Sequence, residues 1–482
     1  MAQLEAVLFD FDNTLVNTKH LKPFRDSRDF ASITSQDRAR TSCYRPVVRL
    51  LRRLKEKGIR TGLVTNSPRS YVEPLLQHHG LSDLLDEVVT YSDVGATGKK
   101  PSPHGINKAL EALGIDARQN VVYVGDEYID VVAAYRAGVI PIVATWGSRE
   151  SVSTPPAASL SSAGLLEATD DVDEIMLFAE RCAEHKSTDF ERKAAHFLPL
   201  DEHSEIPTIR QKLKTFCLGR YFSQKSVTTA QLHDSHALSC EIARKDSDPN
   251  YRPPSWMAEM LLKIAKSAGL YLFDGARQVD VITIVPHKPG KQPRLEYLLA
   301  EMSTMAESLG WDVEFRPDLL YFDKHAAKSL RGLGTDERRH EQNEHLHAED
   351  VDLEGKVVIV IDDVITTGAT INRALELLEE NGAEVYGLGI AKTVSIVEDT
   401  KHCTMCGRAM LIRKHIQTGE RFWGCSGYHE NRACTHTEPF EIIPCPKCAR
   451  PLRIQKNKAK GTLFYGCTGW RDNPPCRYTK NI

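Results

Sequence analysis

Long apolar segments are absent from this sequence of 482 residues. It has no run of about 18 apolar residues, so no membrane-spanning helix is expected. The N-terminus lacks the basic region and apolar stretch of a secretion signal, and a cytoplasmic location is therefore expected. Cysteine is scarce before residue 400, because eight of the 12 cysteines follow it. A disulfide-rich secreted scaffold is thereby excluded for most of the chain.

Charge is distributed unevenly along the chain. The net charge is −3, yet residues 401–482 contain 15 Lys and Arg against 5 Asp and Glu. The remaining residues contain 47 basic and 60 acidic side chains. A basic tail on an acidic body predicts an anionic partner for the tail. Hydrophobic residues make up 41% and charged residues 26%, which is the composition of an ordinary globular protein.

Short β-rich runs alternate with helical patterns over residues 1–185 and again over residues 266–395. This alternation predicts two parallel sheets with helices on both faces. Glu87–Tyr91 is predicted to be a strand of the first sheet, and two of its helices are predicted to stop at Gly114 and Gly138. The predicted divisions are a first domain at 1–185, a linker and start of the second domain at 186–265, and the second domain proper at 266–395.

Carboxylates follow the first predicted strand, in the segment VLFDFDNTL. They would lie beyond the carboxyl end of that strand, where ligands bind in open parallel sheets. A carboxylate can attack phosphorus, hard oxygen ligands suit Mg²⁺, and a lysine and a hydroxyl can hold phosphoryl oxygens. The side chains at strand ends or helix starts that offer these groups are Asp10, Asp12, Thr65, Lys100, Asp126 and Asp130.

This order of motifs resembles the haloacid dehalogenase (HAD) superfamily of phosphatases over residues 1–185. The resemblance implies that Asp10 is the nucleophile and that Asp12 is the general acid/base. It also implies phosphate binding by Thr65 and Lys100. The implied Mg²⁺ ligands are Asp10, Asp12 (through its backbone carbonyl), Asp126 and Asp130. Only 27 residues separate Val16 from Tyr44, so a site with little or no cap is expected.

A second phosphate motif lies in VVIVIDDVITTGATI, residues 357–371. An apolar strand is predicted to end in Asp362 and Asp363, which suit the hydroxyls of a ribose. Small and hydroxyl residues then lead into a helix, and a helix N-terminus favours an anion. The predicted loop residues are Thr366, Thr367, Gly368 and Thr370.

These residues resemble the site for phosphoribosyl pyrophosphate (PRPP) in type I phosphoribosyltransferases, with the nearest likeness to the ComF-like branch. The resemblance implies ribose binding by the two aspartates and 5′-phosphate binding by the loop. Lys288, in IVPHKPGKQPR, is a predicted pyrophosphate contact. Residues 332–343 resemble a flexible hood, with Arg338, Arg339 and Asn343 as further contacts. A domain that binds PRPP or a nucleotide and regulates without transfer is the alternative.

Eight cysteines are arranged in two copies of C-x2-C-x18-C-x8-C, 42 residues apart. Four thiolates at this spacing suit a closed tetrahedral Zn²⁺ site. The predicted ligands are Cys403, Cys406, Cys425 and Cys434 in the first copy and Cys445, Cys448, Cys467 and Cys476 in the second. Zinc ribbons are therefore predicted at 396–438 and 439–482. The complete fold class is α/β multidomain, with two doubly wound Rossmann-like domains followed by these two small ribbons.

Aromatic residues surround the third cysteine of each copy, in FWGCSGY and FYGCTGW. This arrangement resembles the C-terminal four-cysteine zinc fingers of type IA DNA topoisomerases, which implies binding of single-stranded nucleic acid. Basic charge interleaved with aromatics suits neutralisation of the backbone and stacking on bases. The alternative is that the aromatics only cover the metal site.

The combined motifs predict a bifunctional enzyme of nucleotide metabolism. It would contain a Mg²⁺-dependent phosphatase and a PRPP-using transferase, bind two structural Zn²⁺ ions, and be recruited to nucleic acid by its ribbons. One alternative is a nucleic-acid end phosphatase with a PRPP- or nucleotide-sensing domain. Another is a non-catalytic DNA-binding accessory protein of uptake, repair or defence. The sequence leaves the phosphoester, the base and the oligomeric state open.

Overall fold

The computed structural model describes every residue except 1–2, 148–150, 190–195, 208–212, 249, 269–277, 324–344, 397–400, 416–417, 430–433, 441–444, 449–451, 458–461, 472–474 and 482. The described residues form two compact units, one of residues 1–222 and 232–394 and one of residues 223–231 and 395–482. Among the helices described, none is long and apolar enough to cross a membrane.

The N-terminal part of the first unit is a parallel sheet. Within the described residues its strands are β1 (Ala6–Phe9), β2 (Arg60–Val64), β3 (Glu87–Val89), β4 (Val121–Gly125), β5 (Ile140–Ala144) and β6 (Ala158–Leu160). Their order across the sheet is β3-β2-β1-β4-β5-β6, and each neighbouring pair is parallel. From β1 the chain adds strands toward one edge of the sheet as far as β3, and from β4 it adds strands toward the other edge. Ligands are therefore expected at this switch point, beyond the carboxyl ends of β1 and β4.

Helices cover both faces of this sheet. In the described part they are α1 (Lys22–Ser27), α2 (Ser35–Ala39), α3 (Val47–Glu56), α4 (Arg69–His78), α5 (Tyr91–Gly98), α6 (His104–Leu113), α7 (Tyr128–Ala137) and α8 (Ser162–Glu167). Val7 and Phe9 of β1 pack in one core, whereas Ala6 and Leu8 pack in the other. Successive side chains of a strand point to opposite faces, so this alternation confirms the predicted doubly wound arrangement.

Several predicted boundaries agree with the structure and one does not. The helices α6 and α7 end at Gly114 and Gly138, which have positive φ of 68° and 74°. Tyr91, predicted to end a strand, instead begins α5. The reason is a capping box, in which Thr90 and Asp93 exchange hydrogen bonds at the start of that helix.

A small insertion follows β1. It contains α1 and α2 and is enclosed by a short antiparallel pairing of Val16–Asn17 with Ser42–Cys43. Thr34 and Asp37 form a capping box at the start of α2, which explains a helix in so short a segment. The segment expected to form little or no cap is therefore a short helical insertion, and it contributes side chains to the site described below.

A second sheet lies in the same unit. Its described strands are β7 (Leu198–Leu200), β8 (Thr215–Cys217), β9 (Arg220–Phe222), β10 (Val281–Ile284), β11 (Glu314–Phe315), β12 (Val357–Ile365) and β13 (Glu384–Val394). The order is β11-β10-β12-β13-β8-β7, β9 also pairs with β13, and the pairing of β7 with β8 is antiparallel. The helices described over residues 178–380 are α9 (Phe178–His185), α10 (Val227–Ser235), α11 (Ala237–Ser247), α12 (Ser255–Lys266), α13 (Leu295–Ser308) and α14 (Ala369–Glu380), and the first five residues of α10 belong to the second unit.

Two features of this sheet differ from expectation. Asp362 and Asp363 lie inside β12 rather than after it, because β12 stays paired with β13 as far as Ile365 and Lys392. Helix α9, which falls within the predicted first domain, packs in the core of the second sheet through Ala179. Apolar periodicity reports that a helix has a buried face and does not report which core receives it.

A buried ion pair joins the two sheets within this unit. Arg220 of β9 donates to both carboxylate oxygens of Glu180, over 2.7 and 2.8 Å. It also donates to the hydroxyl of Tyr135 on α7, over 2.8 Å. The geometry is bidentate and the partners are buried, so removal of one partner would leave an uncompensated charge. This cluster fixes α7 of the first sheet to α9 and β9 of the second.

The second unit contains two similar three-stranded antiparallel sheets. The first is formed by β14 (Met410–Lys414), β15 (Arg421–Cys425) and β16 (Thr437–Pro439), and the second by β17 (Leu452–Lys456), β18 (Leu463–Cys467) and β19 (Thr479–Asn481). Their registers correspond at an offset of 42 residues, since Met410 pairs with Cys425 and Leu452 with Cys467. The internal repeat seen in the sequence is therefore a repeat of structure.

Candidate functional site

Three carboxylates meet beyond the ends of β1 and β4. Asp10 follows β1, Asp126 follows β4, and Asp130 lies in the first turn of α7. Each offers an oxygen, and these oxygens all lie within 4.8 Å of one another. Burial raises the pKa of Asp10 to about 7 against the opposing effect of Lys100, and the neighbouring carboxylates add to the rise. Such a buried acidic cluster is suited to a divalent cation with oxygen ligands.

Lys100 lies against the same carboxylates. Its Nζ donates to Asp10 Oδ1 over 2.5 Å, to Asp130 Oδ1 over 2.6 Å and to the hydroxyl of Tyr123 over 3.0 Å. Burial lowers the pKa of Lys100, but the two carboxylates outweigh burial and the net pKa is raised. Asn66 fixes the backbone of Lys100 by accepting from its N–H over 2.7 Å and donating to its carbonyl over 3.1 Å. Lys100 is therefore held charged beside the carboxylate of Asp10.

Asp12 is held on the other side of the site. Its Oδ1 accepts from Thr18 Oγ1 over 2.6 Å, from Tyr71 over 2.7 Å and from Arg25 over 2.9 Å. Its Oδ2 accepts from Ser67 Oγ over 2.6 Å. The side chain of Asp12 is thus outside the carboxylate cluster, and contact with a metal would have to come from its backbone carbonyl.

The predicted residues of this site come together around one cavity. It has a volume of about 380 Å³, and its lining includes Asp10, Asp12, Thr65, Lys100 and Asp130. Several side chains at the site were not predicted from sequence, namely Thr18, Arg25, Asn66, Ser67, Tyr71 and Tyr123. A usable signal existed for Tyr123, which is the polar member of the otherwise apolar strand VVYVG.

The second site is organised around Asp363. This carboxylate accepts from Lys245 on α11 over 2.7 Å and from Arg294 at the start of α13. Burial raises the pKa of Asp363, but the two cations outweigh burial and hold the net pKa well below its usual range. Burial raises the pKa of Asp362 to about 7, and the charge of Asp363 adds to the rise. Sequence reasoning identified both aspartates and missed both cations, which come from elements distant in the chain.

The predicted phosphate loop follows β12. Gly368 has a positive φ of 77° and precedes α14, and a Cβ there would collide with Ser204. Thr366 and Thr367 are exposed, so their hydroxyls are accessible. The buried Lys392 of β13 donates to the carbonyl of Thr366 over 2.5 Å, and burial lowers its pKa. Lys392 therefore adds a positive charge directly below the loop, and no motif indicated it.

Two other parts of this second site stay predictions. Lys288 Nζ lies 5.5 Å from the centre of the Phe322 ring, and its contact with pyrophosphate is untested. Arg338, Arg339 and Asn343 lie outside the described residues. Thr370 lies half-buried in the first turn of α14, and its contact with a phosphate stays a prediction.

Each cysteine quartet has the dimensions of a metal site. The sulfurs of Cys403 and Cys434 are 3.7 Å apart and those of Cys406 and Cys425 are 3.4 Å apart. In the second quartet the matching separations are 3.7 and 3.3 Å. A tetrahedron with Zn–S bonds of about 2.3 Å has edges of about 3.8 Å. Both quartets therefore fit Zn²⁺, as the spacing of the cysteines predicted.

Aromatic residues on the ribbons fall into two groups. Trp423 and Tyr465 pack against the cysteine clusters and are partly buried. Tyr428 and Trp470 are 52% and 54% exposed. They are 42 residues apart and occupy the same position in each repeat. One aromatic of each ribbon thus packs against the cysteine cluster, and another is about half exposed; the guanidinium of Arg413 lies 5.9 Å from the centre of the Tyr428 ring.

Comparisons with known families match three parts of the chain in the predicted order. A haloacid dehalogenase-like hydrolase family matches residues 26–144. A phosphoribosyl transferase domain family matches residues 324–420. A topoisomerase DNA-binding C4 zinc finger family matches residues 400–441 and again residues 442–482. The prediction of a HAD-like region, a phosphoribosyltransferase domain and tandem zinc ribbons is confirmed.

Individual relatives cover smaller parts of the chain. A phosphoglycolate phosphatase of Rhodospirillum rubrum is 36% identical over 131 residues, which is 27% of this chain and 53% of that protein. The pyrophosphatase PpaX of Bacillus cereus is 38% identical over 104 residues, 21% of this chain and 46% of that protein. The chain thus spans about half the length of these curated relatives.

Solved structures of HAD proteins also match. A HAD-superfamily hydrolase from Ehrlichia chaffeensis has 23% identity, covers 30% of this chain and 89% of that chain, and has a TM-score of 0.25. A HAD phosphatase from Thermococcus onnurineus has 23% identity, covers 30% of this chain and 87% of that chain, and has a TM-score of 0.26.

Proposed function

We propose that the first domain is a Mg²⁺-dependent phosphomonoester hydrolase with Asp10 as its nucleophile. The observation that carries this proposal is the position of the Asp10 carboxylate. It lies beside a buried lysine and two further carboxylates, at the carboxyl end of the central strand. The similarity of this region to phosphatases supports the same chemistry.

The proposed reaction has two steps. In the first, a carboxylate oxygen of Asp10 attacks phosphorus, and the bond from phosphorus to the ester oxygen breaks as Asp12 protonates that oxygen. In the second, Asp12 accepts a proton from water, which attacks the same phosphorus and releases phosphate and the Asp10 carboxylate. Lys100 and Thr65 hold the phosphoryl oxygens throughout.

The cluster of Asp10, Asp126 and Asp130 would hold the Mg²⁺ ion. When bound, the ion supplies positive charge that lets an anionic nucleophile approach an anionic phosphate. Thr14 supports this arrangement, because its hydroxyl donates to Asp126 over 3.1 Å. Asp130 also accepts from the backbone N–H of Asp126 and of Glu127, over 3.2 and 3.1 Å, which orients its carboxylate toward the cluster.

For the second domain we propose binding of PRPP or a nucleotide at Asp362, Asp363 and the loop of residues 366–370. The positive φ of Gly368, the accessible threonine hydroxyls and the underlying Lys392 support a phosphate at the loop. Transfer of the phosphoribosyl group would make a nucleoside monophosphate, from which the first domain could remove the 5′-phosphate. Residues 396–482 would recruit the enzyme to single-stranded nucleic acid.

The competing function is a nucleic-acid end phosphatase whose second domain senses nucleotides. The exposed Tyr428 and Trp470 favour it, because they would let the ribbons present a strand to the phosphatase. The deciding experiment offers the purified chain, with Mg²⁺, nucleoside monophosphates, PRPP with free bases, and end-phosphorylated oligonucleotides. Phosphate release from oligonucleotides alone would exclude the nucleotide-metabolism function. No release from any substrate would exclude both enzymatic functions.

A further inference from the structure

Three positively charged side chains are among the residues that line the phosphatase cavity. Arg25 and Arg28 come from the small helical insertion, and Lys99 comes from the segment before α6. Arg25 and Arg28 lie outside the motifs that predicted the phosphatase, and Lys99 directly precedes Lys100 in its motif GKKPSP. We call these three residues the cationic rim. Their positive charges could bind a part of the substrate other than the phosphate that is hydrolysed.

Arg25 connects the rim to the reacting groups. Its NH1 donates to Asp12 Oδ1 over 2.9 Å, to Thr18 Oγ1 over 2.7 Å and to Tyr71 over 3.2 Å. A guanidinium has five N–H donors. Its Nε and NH2 groups have no hydrogen-bond partner among the residues that the structure describes, and they remain available to an acceptor in the cavity.

Arg28 and Lys99 are exposed and make no ion pair with any described residue. Arg28 lies at the end of α1 with a positive φ of 56°, a conformation that favours glycine. The carboxylates that line the cavity are those of Asp10, Asp12, Glu127 and Asp130, and the carboxylate of Glu127 accepts from the backbone N–H of Asp130 at the start of α7. The two exposed cations therefore lack a partner carboxylate in the described part of the chain.

The dimensions of the cavity allow a second group beside the reacting phosphate. Its volume of about 380 Å³ lies within the range of roughly 300–1,000 Å³ that is typical of small-molecule pockets. Phe30 lines the cavity as well and packs on Tyr71, with ring centres 5.4 Å apart. The cavity lining thus offers positive charge and an aromatic ring as well as the carboxylates.

We propose that the phosphatase acts on phosphomonoesters that carry a second phosphate or phosphodiester group, which the cationic rim binds. This inference rests on the proposed phosphatase function and names its substrate class. Arg28 and Lys99 bind the second anion first, because they are exposed and uncompensated. Two sources offer the same chemistry, a free nucleoside bisphosphate and the phosphorylated end of a nucleic acid.

The second anion also affects the general acid/base. Arg25 is shared between Asp12 and the rim, so an anion on the rim competes with Asp12 for this guanidinium. Asp12 Oδ1 accepts from Arg25, Thr18 and Tyr71, and these contacts fix where its carboxylate lies. An anion that draws Arg25 toward the rim would therefore change the position of Asp12 relative to the leaving oxygen. In this role Arg25 is a positioning residue.

The test compares matched substrates with the full chain and Mg²⁺. Adenosine 5′-monophosphate is compared with adenosine 3′,5′-bisphosphate, and a nucleoside 3′-monophosphate with a dinucleotide that has a 3′-terminal phosphate. We expect kcat/KM to be about tenfold or more higher for the doubly anionic member of each pair, as for one charge-assisted contact. A larger gain for the dinucleotide identifies a nucleic-acid end as the source, and a larger gain for the bisphosphate identifies a free nucleotide.

Variants locate the effect on the rim. Arg28→Met and Lys99→Met keep the aliphatic stem and remove the charge, and each is expected to lower the preference severalfold. Arg28→Lys should restore part of it. Arg52→Met is the matched control, because Arg52 is an exposed arginine of α3 outside the cavity lining. Arg25→Met should lower kcat for the singly charged substrate with little change in KM, and Arg25→Lys should restore part of kcat, which loss of packing alone does not produce.

Two outcomes separate this inference from the function on which it rests. Equal kcat/KM for both members of each pair, or an unchanged preference in Arg28→Met, overturns the inference and leaves the phosphatase intact. Absence of turnover overturns the phosphatase. Calorimetry with Asp10→Asn and the same nucleotides then tests anion binding by the cationic rim without turnover. Tighter binding of the bisphosphate than of the monophosphate supports the inference, and equal binding overturns it.

Discussion

The guanidinium of Arg25 donates to the carboxylate of Asp12 over 2.9 Å, although the two residues lie on different elements and in no common motif. Asp12 belongs to the motif after β1, and Arg25 belongs to the helical insertion. This contact places the insertion directly on the proposed general acid/base. The insertion therefore contributes side chains to the proposed catalytic site.

Tyr123 positions Lys100, and its hydroxyl can be removed with little change in volume. The hydroxyl accepts from Lys100 over 3.0 Å and donates to the carbonyl of Val64 over 2.8 Å. We expect Tyr123→Phe to lower kcat/KM about tenfold, because a buried charged donor loses an acceptor. Tyr128→Phe is the control, since that ring is 54% exposed. Equal activity of both variants in phosphate release would show that Lys100 does not need this contact.

The raised pKa of Asp10 predicts how stability depends on pH and metal. Its pKa is about 7 in the folded chain and 3.8 ordinarily, so the folded state binds the proton more tightly. The contribution of Asp10 to the free energy of unfolding is therefore complete below about pH 4 and declines as pH rises toward about 7. Without metal, Asp10→Asn should be more stable than the wild type at pH 8 and show a smaller difference at pH 4.

Thermal unfolding at both pH values, with EDTA and with Mg²⁺, measures this effect. Mg²⁺ should raise the Tm of the wild type more at pH 8 than at pH 4, because the cation offsets repulsion between ionised carboxylates. Asp362→Asn serves as the control, since Asp362 has a similarly raised pKa outside this cluster. An equal Mg²⁺ effect at both pH values, or in Asp10→Asn and wild type, would contradict the assignment.

Substitution of Gly368 tests whether the loop of residues 366–370 in the second domain needs a glycine to pack and to bind phosphate. Gly368 and Gly290 have nearly equal positive φ of 77° and 78°, but only at Gly368 does a Cβ meet another residue, Ser204. Gly290→Ala should lower the free energy of unfolding by about 1 kcal/mol through backbone strain alone. Gly368→Ala should cost about 1–3 kcal/mol more through the collision, and it should weaken PRPP binding.

Urea unfolding and calorimetric titration with PRPP measure these two effects. The double variant Gly368→Ala with Ser204→Gly should recover the part of the stability that the collision removes. If Gly368→Ala is no less stable than Gly290→Ala, the close packing of Ser204 on the loop is not a real constraint. Unchanged PRPP affinity in Gly368→Ala would place the ligand elsewhere.

The exposed aromatics of the ribbons predict a stacking contribution to nucleic-acid binding. Tyr428→Ala and Trp470→Ala should each weaken binding of single-stranded DNA by about 1–3 kcal/mol. The control is Leu411→Ala, because Leu411 is 48% exposed on the first ribbon and has no aromatic face. Titrations at several salt concentrations should give similar salt slopes for all variants, since none removes a charge. A loss in Leu411→Ala equal to that in Tyr428→Ala would indicate general apolar contact.

Sequence reasoning found the groups that lie at strand ends. Asp10 and Asp126 follow apolar strands, and the rules of open parallel sheets place such residues together. The two cysteine quartets could also be predicted from the sequence, because the spacing of the ligands and their repetition are local properties of the chain. These predictions succeed where the chemistry and its position are encoded within a few residues.

Other parts of the sites depend on packing and had no local signal. Lys245 reaches Asp363 from a helix outside every motif, and Arg25 reaches Asp12 from an insertion with no recognisable pattern. Arg294 ends the segment IVPHKPGKQPR, but its contact with Asp363 was not predicted. Helix α9 joined the second core although it follows the first sheet in sequence. A hydrophobic pattern specifies that a face is buried, and tertiary packing alone decides which residues meet across it.

The most direct test of the central claim is detection of phosphate covalently bound to Asp10. The full chain with Mg²⁺ and a hydrolysed phosphomonoester would be quenched in acid during turnover, digested and analysed by mass spectrometry. We predict one added phosphoryl group on the peptide that contains Asp10, absent in Asp10→Asn, which should also release no phosphate. Phosphate release by Asp10→Asn at the wild-type rate, or a phosphoryl group trapped on another residue, would contradict the assignment of Asp10 as nucleophile.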